Sequence, residues 1–186
     1  MQNNISNNRS LTEQSLKQKY NSARLNLLLV VLFSAINLLL LVTKSNTYFL
    51  FSASVPYLLT DLGMFLCGMY PADYYTGDLA GFQTLPSVVF YVMLAIAVII
   101  LLLYLVSYLL SKKSVGWLSF SLVFFCLDTV GMFLYFGIAL DMIIDIVFHV
   151  WVIVILVQGI RAHYQLKNLP PEPQIEEPVA ENTDTE

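Results

Sequence analysis

The amino-acid sequence predicts an all-α integral membrane protein, a bundle of five apolar helical segments of which four are spans and the second is kinked or re-entrant. Three observations carry that expectation. Apolar runs long enough to cross a hydrocarbon core of about 30 Å recur along the chain. The 186 residues are 58% hydrophobic and only 12% charged, whereas an ordinary soluble domain is nearer half apolar and a quarter charged. Every Lys and Arg sits between the apolar runs or at the ends, and none falls inside a run.

Residues 1–10 are polar and Asn-rich, and read as a disordered start. Ser10-Leu11-Thr12-Glu13 has the capping-box pattern, in which the serine accepts from the third helical amide and the glutamate reaches back. A helix is therefore expected from near Leu11, running straight into the first apolar run at 25–42 and protruding by about four turns. Residues 11–167 make up the helical membrane domain. Ser52-Ala53-Ser54 loosely resembles a signal-peptidase site, but the long polar lead and long apolar run argue for a retained span. Asn26, Ser34 and Asn37 interrupt that run, and Asn26 and Asn37, with Gln158 in the fifth run, read as packing contacts.

The second run, 49–70, is long enough to span but contains Pro56, Asp61, Gly63 and Gly68. Such residues are tolerated in the bilayer when neighbours or water satisfy the freed backbone groups. The loop 71–85 has Asp73 and Asp78 and no Lys or Arg. The third run, 86–110, is uninterrupted and is closed by Lys112 and Lys113. The fourth, 115–137, holds Asp128, and the fifth, 142–160, holds Asp145 and His149 after a turn at Asp141. Residues 168–186 are Pro-rich and acidic, with too little apolar surface to form a core, and read as a disordered tail.

The net charge of −4 comes from that tail, and nothing resembles a basic nucleic-acid surface. The expected partners are the lipid bilayer and either further copies of the chain or another membrane protein. Orientation depends on the second run. Five crossings divide the Lys and Arg residues four against five, whereas a re-entrant second run places eight on one side and Lys44 alone on the other. Either way the acidic loop 71–85 faces outward and the carboxyl-terminal tail inward, which places the protein in the cell membrane with a cytoplasmic tail.

An acid at a helix centre costs roughly 2.5–3.5 kcal/mol on insertion scales, so those present face a partner, water or the bundle interior. Asp128 lies about 14 Å below the outer face, His149 about 10 Å and Asp145 about 5 Å, so Asp128 and His149 fall within one turn of each other. Were the second run to cross, Asp61 would join them in one polar layer. Asp141, Asp145 and His149 share a helix face but spread over about 12 Å, too far for one metal ion and suited to a hydrated path for protons or cations. The structural alternative is helix-to-helix hydrogen bonding worth about 0.6–2 kcal/mol per contact. Cys67 and Cys126 lie about 12 Å apart in depth, too far for a disulfide. No motif for an enzyme, a cofactor or a metal is present. Two functional readings result: a non-enzymatic accessory or interaction subunit, and a homo-oligomeric proton- or cation-linked transporter or channel using Asp128, His149, Asp145 and Asp61.

Overall fold

The computed structural model describes residues 2–45, 47–49, 51–137 and 143–170, with side chains from residue 9 onward. The described chain is all-helical: α1 Gln2–Val42, α2 Ser54–Leu66, α3 Val88–Leu110, α4 Val115–Phe136 and α5 Ile143–Lys167, with two 3-10 turns at Ala72–Tyr75 and Gly77–Leu79. The turn at Asp141 and residues 171–186 of the expected tail lie outside the described residues. Helices α1, α3, α4 and α5 are long and apolar enough to cross a membrane, and α2 is the shorter apolar helix.

The first helix begins at Gln2 rather than near Leu11. Residues 2–10 contain neither Gly nor Pro, and extending an existing helix costs far less than nucleating one. Ser10 therefore lies within the helix instead of capping it, and Glu13 pairs one turn onward with Lys17 at 2.5 Å. At about 62 Å, α1 is twice the thickness of the hydrocarbon core.

Side-chain contacts fix the direction of each element. Arg24 and Tyr20 of α1 reach Ser111 at the α3–α4 connection. Tyr20 also meets His163 near the end of α5, with ring centroids 5.2 Å apart. One end of the bundle thus gathers Tyr20, Arg24, Lys112, Lys113, Arg161 and Lys167, and we call it the basic end. Val42, the start of α3, the end of α4 and the start of α5 form the opposite, loop end.

The second segment does not cross. From Val42 at the loop end the described residues 43–45, 47–49 and 51–53 descend without helix, and the chain climbs back as α2. At about 20 Å, α2 is too short to span. Its first residues meet Asp128 in α4. Its last meet the start of α3, where the Leu85 amide donates to the Leu66 carbonyl at 2.8 Å. This segment is re-entrant, so both described termini lie at the basic end.

The helices pack through small residues where backbones approach. A Cβ added to Gly159 of α5 would lie 2.3 Å from the Ala23 Cβ of α1, and one added to Gly131 of α4 would lie 2.8 Å from Val55 of α2. Ala23, Leu27, Tyr104, Leu118, Phe125, Val152 and Leu156 are buried together between α1, α3, α4 and α5.

Two outcomes follow from this packing. Gly159→Ala should destabilise the protein by about 1–3 kcal/mol through overpacking, and adding Ala23→Gly should recover part of that loss in SDS titration of the micellar protein, a non-additivity that distant sites lack. In a Cys67→Ala, Cys126→Ala background, single cysteines at Arg9 and Asn168 should react with an impermeant maleimide from the same side of the membrane, and one at Thr76 from the other. Opposite-side labelling of Arg9→Cys and Asn168→Cys would mean a fifth crossing.

Candidate functional site

Non-helical backbone at membrane depth survives only if its polar groups are satisfied by protein or by water in a cavity. In the descending segment α1 supplies the partners. The Asn37 side chain accepts from the Phe49 amide at 2.8 Å and donates to the Phe49 carbonyl at 2.7 Å. It also donates to Ser52 Oγ at 2.9 Å. Ser34 Oγ accepts from the Ala53 amide at 2.7 Å. The turn itself runs through Phe51, a non-glycine residue at φ 73°, and its ring packs edge-on against Phe148 with centroids 4.1 Å apart.

The amino terminus of α2 is the crux of the site. Four amides of any helix start lack a partner within the helix, and the N-cap residue, Ala53, has no side-chain acceptor. Asp128 of α4 provides one. Its Oδ2 accepts from the Ser54 amide at 2.8 Å and its Oδ1 from the Val55 amide at 2.8 Å. The next residue is Pro56, which has no N–H to satisfy. A carboxylate here also meets the positive end of the α2 dipole.

His149 stands beside this cap, 1% exposed, with Asp128 4% exposed. Its Nδ1 lies 2.8 Å from the Asp145 carbonyl. A carbonyl only accepts, so Nδ1 carries the hydrogen. Nε2 faces Ser54 Oγ at 3.3 Å and Asp128 Oδ2 at 3.4 Å. The ring stacks on Phe125 with centroids 5.0 Å apart. When Nε2 is bare it accepts from the Ser54 hydroxyl. When it holds a proton it donates toward Asp128, and the Ser54 hydroxyl only has to rotate. The pair thus has two hydrogen-bonded arrangements that differ by one proton.

Two hollows that share Tyr48, Tyr57 and Asp61 lie on the loop-end side of the pair. The outer, about 550 Å³, is lined by Lys44, Tyr48, Tyr57, Asp61, Tyr70 and Tyr135 among others. The inner, about 290 Å³, is lined by Tyr48, Ser54, Tyr57, Asp61, Phe136 and Asp145. Asp145 therefore borders the approach to His149, while its backbone carbonyl orients the imidazole.

Asp61 does not join the layer of Asp128 and His149. Because α2 re-enters rather than crosses, Asp61 sits higher, about 10 Å along the helix from Ser54, and accepts a short hydrogen bond from Tyr70. Burial, with that bond to Asp61, holds the Tyr70 phenol above its ordinary range. Ser34, Asn37, Ser52 and Ser54 hydrogen-bond around the candidate site and were undervalued in the sequence. The only signal was that Ser34 and Asn37 break the first apolar run one turn apart, facing Ser52-Ala53-Ser54 in the next.

Fold and site together define a polytopic α-helical membrane protein with a re-entrant segment whose short helix is capped by a buried Asp128 beside His149. Comparison with protein-family models, with curated proteins and with solved structures finds no match.

The cap makes a sharp expectation. Asp128→Ala orphans the buried Ser54 amide and the part-buried Val55 amide and should cost about 2–6 kcal/mol at roughly 1–3 kcal/mol each, read by SDS titration. Asp128→Asn retains one acceptor and should cost less. Asn37→Leu, close in volume, should cost about 1–3 kcal/mol by stranding the backbone of Phe49.

Proposed function

We propose that this chain is a non-enzymatic membrane protein that moves protons or small cations, with Asp128 and His149 as the groups that carry the moving charge. Asp61 and Asp145 lead to them from the loop end. The observation that carries this reading is the inner hollow. It reaches Ser54, whose hydroxyl lies 3.3 Å from His149 Nε2, at the Asp128 carboxylate.

Physical precedent supports it. Ionisable residues inside spans concentrate along ion paths and proton relays. Short helices that end within the bundle recur where transporters hold their ions and substrates. Here the α2 dipole is already answered by Asp128, so the buried helix terminus offers nothing to an incoming anion. The carboxylates of Asp61 and Asp145 on the approach favour cations instead. With the second segment re-entrant, eight of the nine Lys and Arg residues lie at the basic end or on the α1 extension beyond it, which by the positive-inside rule faces the cytoplasm. The loop end then faces outward from the cell membrane.

The accessory-subunit reading keeps one supporting feature, the projection of α1 beyond the basic end. A helix of about 62 Å has roughly half its length left over after crossing a core of about 30 Å. That half is a ready docking element for another membrane protein.

Reconstitution tests the first reading. Purified protein in liposomes, driven by a potassium gradient with valinomycin, should acidify or alkalinise the lumen faster than protein-free vesicles. His149→Ala should slow that flux at least tenfold while the protein stays folded. Folded wild-type protein that passes no protons, sodium or potassium would defeat the proposal.

A further inference from the structure

Below Asp128, between it and the basic end, lies a stretch of bundle whose polar groups the site above does not use. Tyr104 and Ser107 of α3 are 1% and 0% exposed. Tyr104 OH and Ser107 Oγ have no hydrogen-bond partner among the described residues. Unpartnered buried hydroxyls are uncommon in folded proteins, and each one calls for an explanation such as an ordered water. Two of them one helical turn apart on a single face are harder to dismiss than one.

Their position is what gives them meaning. Side chains on a helix lean toward its amino terminus. The amino terminus of α3 is at the loop end, so Tyr104 leans up toward Asp128. That of α4 is at the basic end, so Asp128 leans down toward Tyr104. Both line one cleft of about 230 Å³, with Val55, Ile100, Phe124 and Leu127. The Tyr104 ring is held there by Phe124, edge-on at 5.1 Å.

One turn below Tyr104 comes Ser107, and one turn below that Ser111. Ser111 is itself buried, and it accepts from Arg24 Nε at 2.8 Å while donating to the Tyr108 carbonyl at 2.7 Å. Tyr20 donates to the Ser111 carbonyl, and His163 packs against Tyr20. Tyr104, Ser107 and Ser111 therefore descend α3 toward the basic end with backbone rises of about 4.5 Å and 6 Å between them, and Asp128 stands above them on the facing helix. Polar groups that do not touch directly can be joined by bridging waters.

We propose that Tyr104 and Ser107 hold internal waters, and that these waters with the Ser111 hydroxyl relay protons between the Asp128–His149 pair and the basic end. This deepens the transport reading and rests on it, narrowing the moving species to the proton. A hydroxyl–water chain passes a proton by exchange of hydrogen bonds, with no bulky ion entering. Among the described residues, none between Asp128 and Ser111 carries a carboxylate to replace the hydration shell of a metal cation. The groups that face the path from its surroundings are His149, Asp145 and Asp61 above, and Arg24, Tyr20 and His163 below.

The test uses the full chain in liposomes and compares wild type, Tyr104→Phe and Ser107→Ala, with proton, sodium and potassium fluxes and thermal unfolding measured for each. Tyr104→Phe removes only the oxygen and Ser107→Ala only the hydroxyl, so both should fold, and each should cut proton flux at least tenfold. Sodium and potassium flux should be at the level of empty vesicles throughout. X-ray radiolytic labelling of the wild type should modify Tyr104 despite its burial, since activated water must be adjacent. If the wild type conducts protons and both variants conduct equally well, the relay is overturned while the transport reading stands. If the wild type conducts nothing, both fall. Unmodified Tyr104, together with a Tyr104→Phe variant that unfolds at higher temperature, would mean a dry hydroxyl and would also overturn the relay.

Discussion

The carboxylate of Asp128, seated on the first two amides of α2, is the contact on which the rest of the architecture depends. A helix that starts in the middle of a bilayer faces two penalties together, unpaired amides without water and the positive end of a dipole in a medium of low dielectric. One side chain from a neighbouring helix answers both. The local sequence could not have done so, because Ala53 occupies the cap position. Pro56 removes one further amide from the account. His149 then packs against this carboxylate because α4 and α5 are adjacent antiparallel helices, so the group that pins the hairpin is also half of the ionisable pair.

The descent to that point is secured from the other side of the bundle. Asn37 pairs with the Phe49 backbone much as a neighbouring strand would, offering an acceptor and a donor to a single residue. Phe51 adopts a left-handed backbone that costs roughly 1–2 kcal/mol for a residue with a Cβ. Its ring offsets that by packing against Phe148 and Trp151 of α5. The reversal is thus held by aromatic contact on its outer side and by Ser34, Asn37 and Asp128 on its inner side.

The spans were legible in the sequence because lipid imposes a composition that can be read residue by residue. The run 86–110 became α3 Val88–Leu110, and 115–137 became α4 Val115–Phe136. Depth arithmetic on two regular helices placed Asp128 within a turn of His149, and the atoms lie 3.4 Å apart. The second run was ambiguous for a physical reason. Its hydropathy and length satisfied a crossing, and what makes it re-enter is a set of pairings from Asn37, Ser34 and Asp128 that leaves no periodic trace. The uneven distribution of Lys and Arg was the one indirect sign of it. The place of Asp61 was left conditional for the same reason, since its depth depends on whether the second run crosses or turns back. The start of α1 was missed because a polar, Asn-rich segment without Gly or Pro carries no signal that forbids helix.

The pairing that seats α2 also sets an order of events during synthesis. The Ser54 amide and the Asp128 carboxylate are 74 residues apart in the chain. At a translation rate of about 5–20 residues per second, roughly 4–15 s pass between the emergence of one and the other. Throughout that interval the segment around Pro56 is apolar enough to enter the bilayer, yet the partner that holds its amino terminus has not been made. Ser34 and Asn37 are already in place, so the descending arm can be docked at once while the helical arm waits. The hairpin is in this sense a nascent-chain problem, solved by putting half of its anchors upstream and half downstream.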